Sequence, residues 1–182
     1  MNFIDELSAS LAGDSIVVQK IQRPTMGPQM GIEWVVFPAI ALLLLKPYFE
    51  GFMDEAGRDH YRILRKFSSM WWGKLFGNNR ELEVAVVTAS GKKKSVYSVA
   101  LAFYTILEDG RWVKLLLRED CTEDEFIKSI EAFVKLAYTI HKGIVEDKIK
   151  SELDNGNGTR TTVLVEYDQV SGSLRVVDPT VR

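Results

Sequence analysis

Residues Trp34 to Leu45 read WVVFPAIALLLL, an apolar run set between Glu33 and Lys46. The conformation of this run decides the fold. As a helix, its twelve residues would span about 18 Å, against a hydrocarbon layer of about 30 Å. Extension to Met30 and Phe49 gives twenty residues. Glu33 and Lys46 then lie near the interfaces, where lysine snorkels more readily than glutamate. Trp34 and Tyr48 fall near the two edges, where interfacial aromatics gather. Pro38 and Pro47 remove the helix bonds to the carbonyls of Trp34 and Leu43, so such a helix is kinked or re-entrant. The competing reading is a helix buried in a soluble core or a dimer interface, the usual place of apolar runs of about 10–14 residues.

The sequence that follows favours the bilayer. Phe52, Ala56, Tyr61, Ile63, Leu64, Phe67 and Trp71 recur at roughly helical spacing from Tyr48 to Phe76, and Gly77-Asn78-Asn79 supplies a helix stop. Arg62-Ile63-Leu64-Arg65-Lys66-Phe67 and Met70-Trp71-Trp72-Gly73-Lys74-Leu75-Phe76 are basic and aromatic. Such segments lie in headgroup layers and favour anionic lipid. The residues expected in the apolar layer are Trp34, Val35, Val36, Phe37, Ile40, Leu42, Leu43, Leu44, Leu45 and Tyr48. Those expected at its surface are Arg65, Lys66, Trp71, Trp72 and Lys74. The positive charges after the run would place the C-terminal domain in the cytoplasm.

The whole chain of 182 residues carries a net charge of −2, and the sign is unevenly spread. Arg58 to Phe76 carries five basic residues and one acid, whereas Arg118 to Asp154 carries ten acids and six bases. Fields act locally, so the separation matters more than the total. The single cysteine, Cys121, excludes an intrachain disulfide, and with two histidines it excludes a four-ligand Cys/His zinc site. The N-terminus, MNFIDELSASLAG, lacks a basic n-region. Phe3, Ile4, Leu7 and Leu11 suit a short amphipathic helix there.

Ser15 to Arg23 is β-prone, and PTMGPQMG after it is loop chemistry. Strands are expected over Leu82–Thr88, Val96–Leu107 and Trp112–Leu117. Asp109-Gly110 forms a hairpin turn between the last two. Thr122-Glu123-Asp124-Glu125 is a capping box opening a helix. Its apolar stripe is Phe126, Ile130, Phe133, Ala137, His141 and Ile144, running to about Lys150. Thr161–Tyr167 and Leu174–Val177 close the chain as a hairpin. The expected fold is α+β, with an antiparallel sheet of about five strands in the order helix-β-β-β-helix-β-β. An apolar, membrane-seeking helical segment precedes it. The organisation divides as residues 1–29 (amphipathic helix and loop), 30–77 (apolar segment and basic helix) and 78–182 (the α+β domain). From Tyr48 to Val177 this element order resembles that of the small α+β chaperones serving bacterial type III secretion, and of related dimeric peptide-binding domains. The resemblance is one of topology and implies a dimeric, peptide-binding role.

The chemistry-bearing residues do not assemble into a motif. Glu55 and Asp59 share a helix face beside His60, as a metal site would require, but no second cluster completes the set. Cys121 and His141 stand about 30 Å apart along one helix, beyond the hydrogen-bond reach that a nucleophile and base need. Gly91-Lys92-Lys93-Lys94 lacks the spaced glycines of a P-loop and the interleaved aromatics of a nucleic-acid surface. Asn155 to Gly158 precedes a strand, not a phosphate-holding helix N-terminus. No catalytic residue, metal ligand, cofactor or nucleic-acid partner is therefore expected. The expected function is a non-enzymatic, membrane-associated protein that presents a cytoplasmic α+β domain to a protein partner. The alternative is a soluble, dimeric chaperone- or adaptor-like module in the cytoplasm, with the apolar run buried. The expected partners are an anionic bilayer surface, a protein partner and a second copy of the chain.

Overall fold

The structure is a computed structural model and describes residues 16–20, 40–44, 49, 65, 68–77, 80, 86–88, 91–93, 96–145, 151, 153 and 162–177. Its strands are β1 (Ile16–Lys20), β2 (Ile40–Leu44), β3 (Val86–Thr88), β4 (Gly91–Lys93), β5 (Leu101–Ile106), β6 (Trp112–Leu116), β7 (Thr162–Asp168) and β8 (Ser173–Val176). The long helix α1 (Glu123–Lys142) lies between β6 and β7, and residues 68–75 are also helical. Six strands form one sheet in the order β1-β2-β5-β6-β7-β8, while β3 and β4 pair apart from it. The α+β class stands. The sheet draws strands from each of the stretches 1–29, 30–77 and 78–182.

Two expectations are corrected. The apolar run does not form a helix at Ile40–Leu44. It is a strand there, paired antiparallel to β1 on one side and parallel to β5 on the other. The physical reason is burial on both faces. An inner strand beside a parallel neighbour reads as a continuous apolar run without alternation, which periodicity cannot tell from a helix. Leu42 and Leu44 are each 1% exposed, and Ala41 on the opposite face is also buried. Pro38 and Pro47 bracket the strand in the sequence and leave its interior free to hydrogen-bond. Among the described residues no helix is long and apolar enough to cross a membrane.

The sheet is also mixed, not antiparallel. The turns beside Asp109-Gly110 and Gly172 join antiparallel pairs β5–β6 and β7–β8. Gly110 and Gly172 adopt φ of 85° and 65°, values that glycine reaches without the steric penalty of a side chain. In contrast, β6 and β7 are parallel, as strands joined by a long helical crossover can be. Of the expected strand Leu82–Thr88, the described residues are Val86–Thr88, and they are a strand. It pairs antiparallel with Gly91–Lys93 outside the main sheet, so the lysine run begins in a strand.

Helix α1 forms where its signals place it. The Glu125 amide donates to the Thr122 hydroxyl at 3.3 Å, and the Thr122 amide donates to the Glu125 carboxylate at 2.8 Å, closing the capping box. At the other end Gly143 turns left-handed at φ 67°. Its amide donates to the Ile140 carbonyl, and the Ile144 amide donates to Thr139, a Schellman-type stop. The helix therefore ends at Lys142, short of Lys150, and Ile144 is exposed.

Strand register assigns the two faces of the sheet. Leu42, Phe103, Leu115, Val165 and Val176 lie in one lateral row on the face covered by α1. There Phe126, Ile130, Phe133, Ala137 and Ile140 of α1 pack with Leu42, Leu44, Leu101, Phe103, Val113, Leu115, Val163 and Val165 in one core. Each such large side chain contributes about 1.5–3 kcal/mol on burial. The helical residues 68–75 and the turn after them extend this core. The Trp71 ring lies 6.2 Å from Phe103, and Phe76 lies 5.1 Å from Phe126. The opposite face carries the alternate residues Leu43, Tyr104, Lys114 and Leu164 in one row, and Ala41, Ala102, Leu116, Glu166 and Arg175 beside it.

Candidate functional site

A cluster of polar groups gathers where the parallel pair β6–β7 reaches its carboxyl end. Backbone bonds from the Ser98 amide to the Leu117 carbonyl, and from the Glu119 amide to the Val96 carbonyl, continue the ladder past β6. They set Tyr97 opposite Arg118 as an isolated bridge. The sheet's alternation then brings Tyr97, Glu166 and Arg175 onto one face. The Tyr97 hydroxyl donates to the buried Glu166 carboxylate, and Arg175 donates to it through Nε at 2.8 Å and through a second guanidinium nitrogen. Burial raises the Tyr97 pKa, and its bond to Glu166 adds to the rise, because the carboxylate favours the protonated phenol. Arg118 is turned to Asp120, to which it donates twice at 2.9 Å.

A crevice lies beside this cluster, lined by Arg118, Cys121, Glu125, Ser129, Glu166 and Gln169, among others. It holds about 20 Å³. That is room for a water, not for an organic substrate. The Cys121 thiol is pushed up to about 12 by burial, reinforced by the charges of Glu125 and Asp120. A thiol so placed stays protonated at neutral pH and is not a nucleophile. Glu125 completes the capping box and accepts from the Gln169 amide, while Ser129 donates to the Glu125 carbonyl at 2.6 Å. The Trp72 indole donates to the Cys121 carbonyl at 3.0 Å. These bonds tie α1, the β7–β8 turn and the helical residues 68–75 together at one end of the sheet.

A second polar feature sits mid-sheet on the face opposite α1. Lys114 is 1% exposed, and burial pulls its ammonium down to about 8. Its Nζ lies 5.6 Å from the centre of the Tyr104 ring, and that ring meets Trp112 edge-on at 6.3 Å. Burial raises the Tyr104 phenol.

The described residues among those anticipated at a membrane lie in several places. Leu42 and Leu44 face the core of α1, Leu43 is half-buried on the other face, and Ile40 begins β2. Trp71 is 1% exposed inside the core. Trp72 and Lys74 are half-buried, and Arg65 is exposed with its Nε 3.6 Å from Glu131. Trp34, Val35, Val36, Phe37, Leu45, Tyr48 and Lys66 lie outside the described residues. So do Glu55, Asp59, His60 and Asn155 to Gly158.

Cys121 and His141 stand at opposite ends of α1. The His141 Nε2 lies 3.0 Å from the Thr105 hydroxyl, which itself donates to the Leu44 carbonyl at 3.0 Å. His141 Nε2 also lies 3.4 Å from the Leu44 carbonyl, and the histidine fastens the end of α1 to β5 and β2. Among the described residues no group of His, Cys, Asp and Glu converges as a metal cage. Sequence reasoning passed over Lys114, Tyr97 and Glu166. The available signal was alternation: Trp112, Lys114 and Leu116 share one face of β6, and Leu164 and Glu166 share one face of β7, so each charge is set among apolar neighbours. Comparison with protein-family models, curated proteins and solved structures finds no match.

Proposed function

We propose that this chain is a non-enzymatic protein-interaction module, adaptor- or chaperone-like, whose apolar run belongs to its own core. The observation that carries this reading is the position of β2. Ile40–Leu44 is hydrogen-bonded to β1 and to β5, and Leu42 and Leu44 are sealed under α1. Insertion of the same run into lipid would require breaking both ladders and opening the core. Each backbone group left unpaired by that step would cost about 1–3 kcal/mol. The polar cluster supports binding over catalysis, because its groups are engaged with one another and its thiol is held protonated. The β7–β8 hairpin supports the interaction reading. Among the described strands β8 ends the sheet, and strand edges receive extended peptides. Val170 at the hairpin tip is 97% exposed.

Fractionation of the full chain tests the first half of the reading. The expected result is a protein that stays in the supernatant without detergent and elutes as a compact monomer or dimer. A protein that pellets with membranes and is released only by detergent overturns it and restores the membrane-attached reading. A photo-crosslinker at Val170, on the folded chain in its own cell extract, tests the second half. A discrete product is expected, either with a second copy or with one other protein. A folded chain that yields no product above a control position overturns the interaction assignment.

A further inference from the structure

We draw no further inference here: the strongest candidate, the patch of Tyr104 and Trp112 around the buried Lys114 on the sheet face opposite α1, is a largely apolar face, and nothing among the described residues shows what covers it.

Discussion

The two faces of the six-stranded sheet are built from the same strands and obey different rules. Toward α1 the buried residues are almost all hydrocarbon: Leu42, Leu101, Phe103, Val113, Leu115, Val163 and Val165, with the Thr105 hydroxyl as an exception. The opposite face is also buried, but it mixes Ala41, Ala102, Leu116 and Leu164 with a lysine and a glutamate. The first face derives its stability from area and fit, so it tolerates exchange of one hydrocarbon for another of similar volume. The second carries charges whose burial is unfavourable without compensation, so its stability depends on pH and on specific partners.

Four experiments would break or sharpen that contrast. Phe103→Ala, at the centre of the α1 face, is expected to lose about 3–5 kcal/mol in urea unfolding. A loss below about 1 kcal/mol would mean that the face is not close-packed. On the other face, the test is pH. The folded Lys114 titrates at about 8, against an ordinary value of 10.5, so between those values the unfolded chain binds the extra proton. The contribution of Lys114 to stability therefore rises as pH increases from 8 toward 10, by on the order of 2 kcal/mol, and is read as the difference between the wild-type chain and Lys114→Met. Below pH 8 the unfavourable contribution is constant. A difference that stays constant across that range would assign the effect elsewhere.

Glu166→Gln removes the charge that receives both Tyr97 and Arg175. A loss of about 1–3 kcal/mol is expected. The Tyr97 phenol should also titrate at lower pH, visible in the ultraviolet, because the variant lacks the carboxylate that favours its protonated form. An unchanged titration would detach Tyr97 from the cluster. The smallest effect belongs to Thr105→Val, which keeps the volume and deletes the hydroxyl between His141 and the Leu44 carbonyl. About 1 kcal/mol is expected, the net worth of an ordinary hydrogen bond. A loss comparable to that of Phe103→Ala would show that the α1 face depends on its polar joint as much as on its packing.

What could be read from the sequence follows the range of the interactions. The cap at Thr122, the stripe from Phe126 to Ala137 and the turn at Asp109-Gly110 are local, and α1, β5 and β6 were legible from them. So were β7 and β8, and β1 lies within the β-prone stretch Ser15–Arg23. The conformation of Ile40–Leu44 is decided by strands far away in sequence. Its leucines carry no helical or alternating period, because both faces are covered. The parallel pairings leave no turn signature of the kind that announces a hairpin. The site was less legible than the fold. Lys114 and Glu166 stand at alternating positions of their strands among apolar neighbours, a faint signal, and it is their burial in the folded sheet that sets them apart. Trp71 illustrates the converse: beside basic residues it suggested a headgroup layer, yet its ring packs against Phe103.

The parallel pairing of β2 with β5 has a consequence for the order in which the chain is made. Leu42 leaves the ribosome about 60 residues ahead of its partner Phe103, a delay of roughly 3–12 s at about 5–20 residues per second. During that interval β1 has already been synthesised and one flank of β2 can be paired, but the edge that β5 will occupy and the face that α1 will seal are still uncovered. A nascent chain holding IALLL with an open edge exposes unpaired backbone groups and apolar side chains, the features through which strands template pairing between chains. The run that most resembled a membrane segment must therefore wait for a strand and a helix made later to cover it.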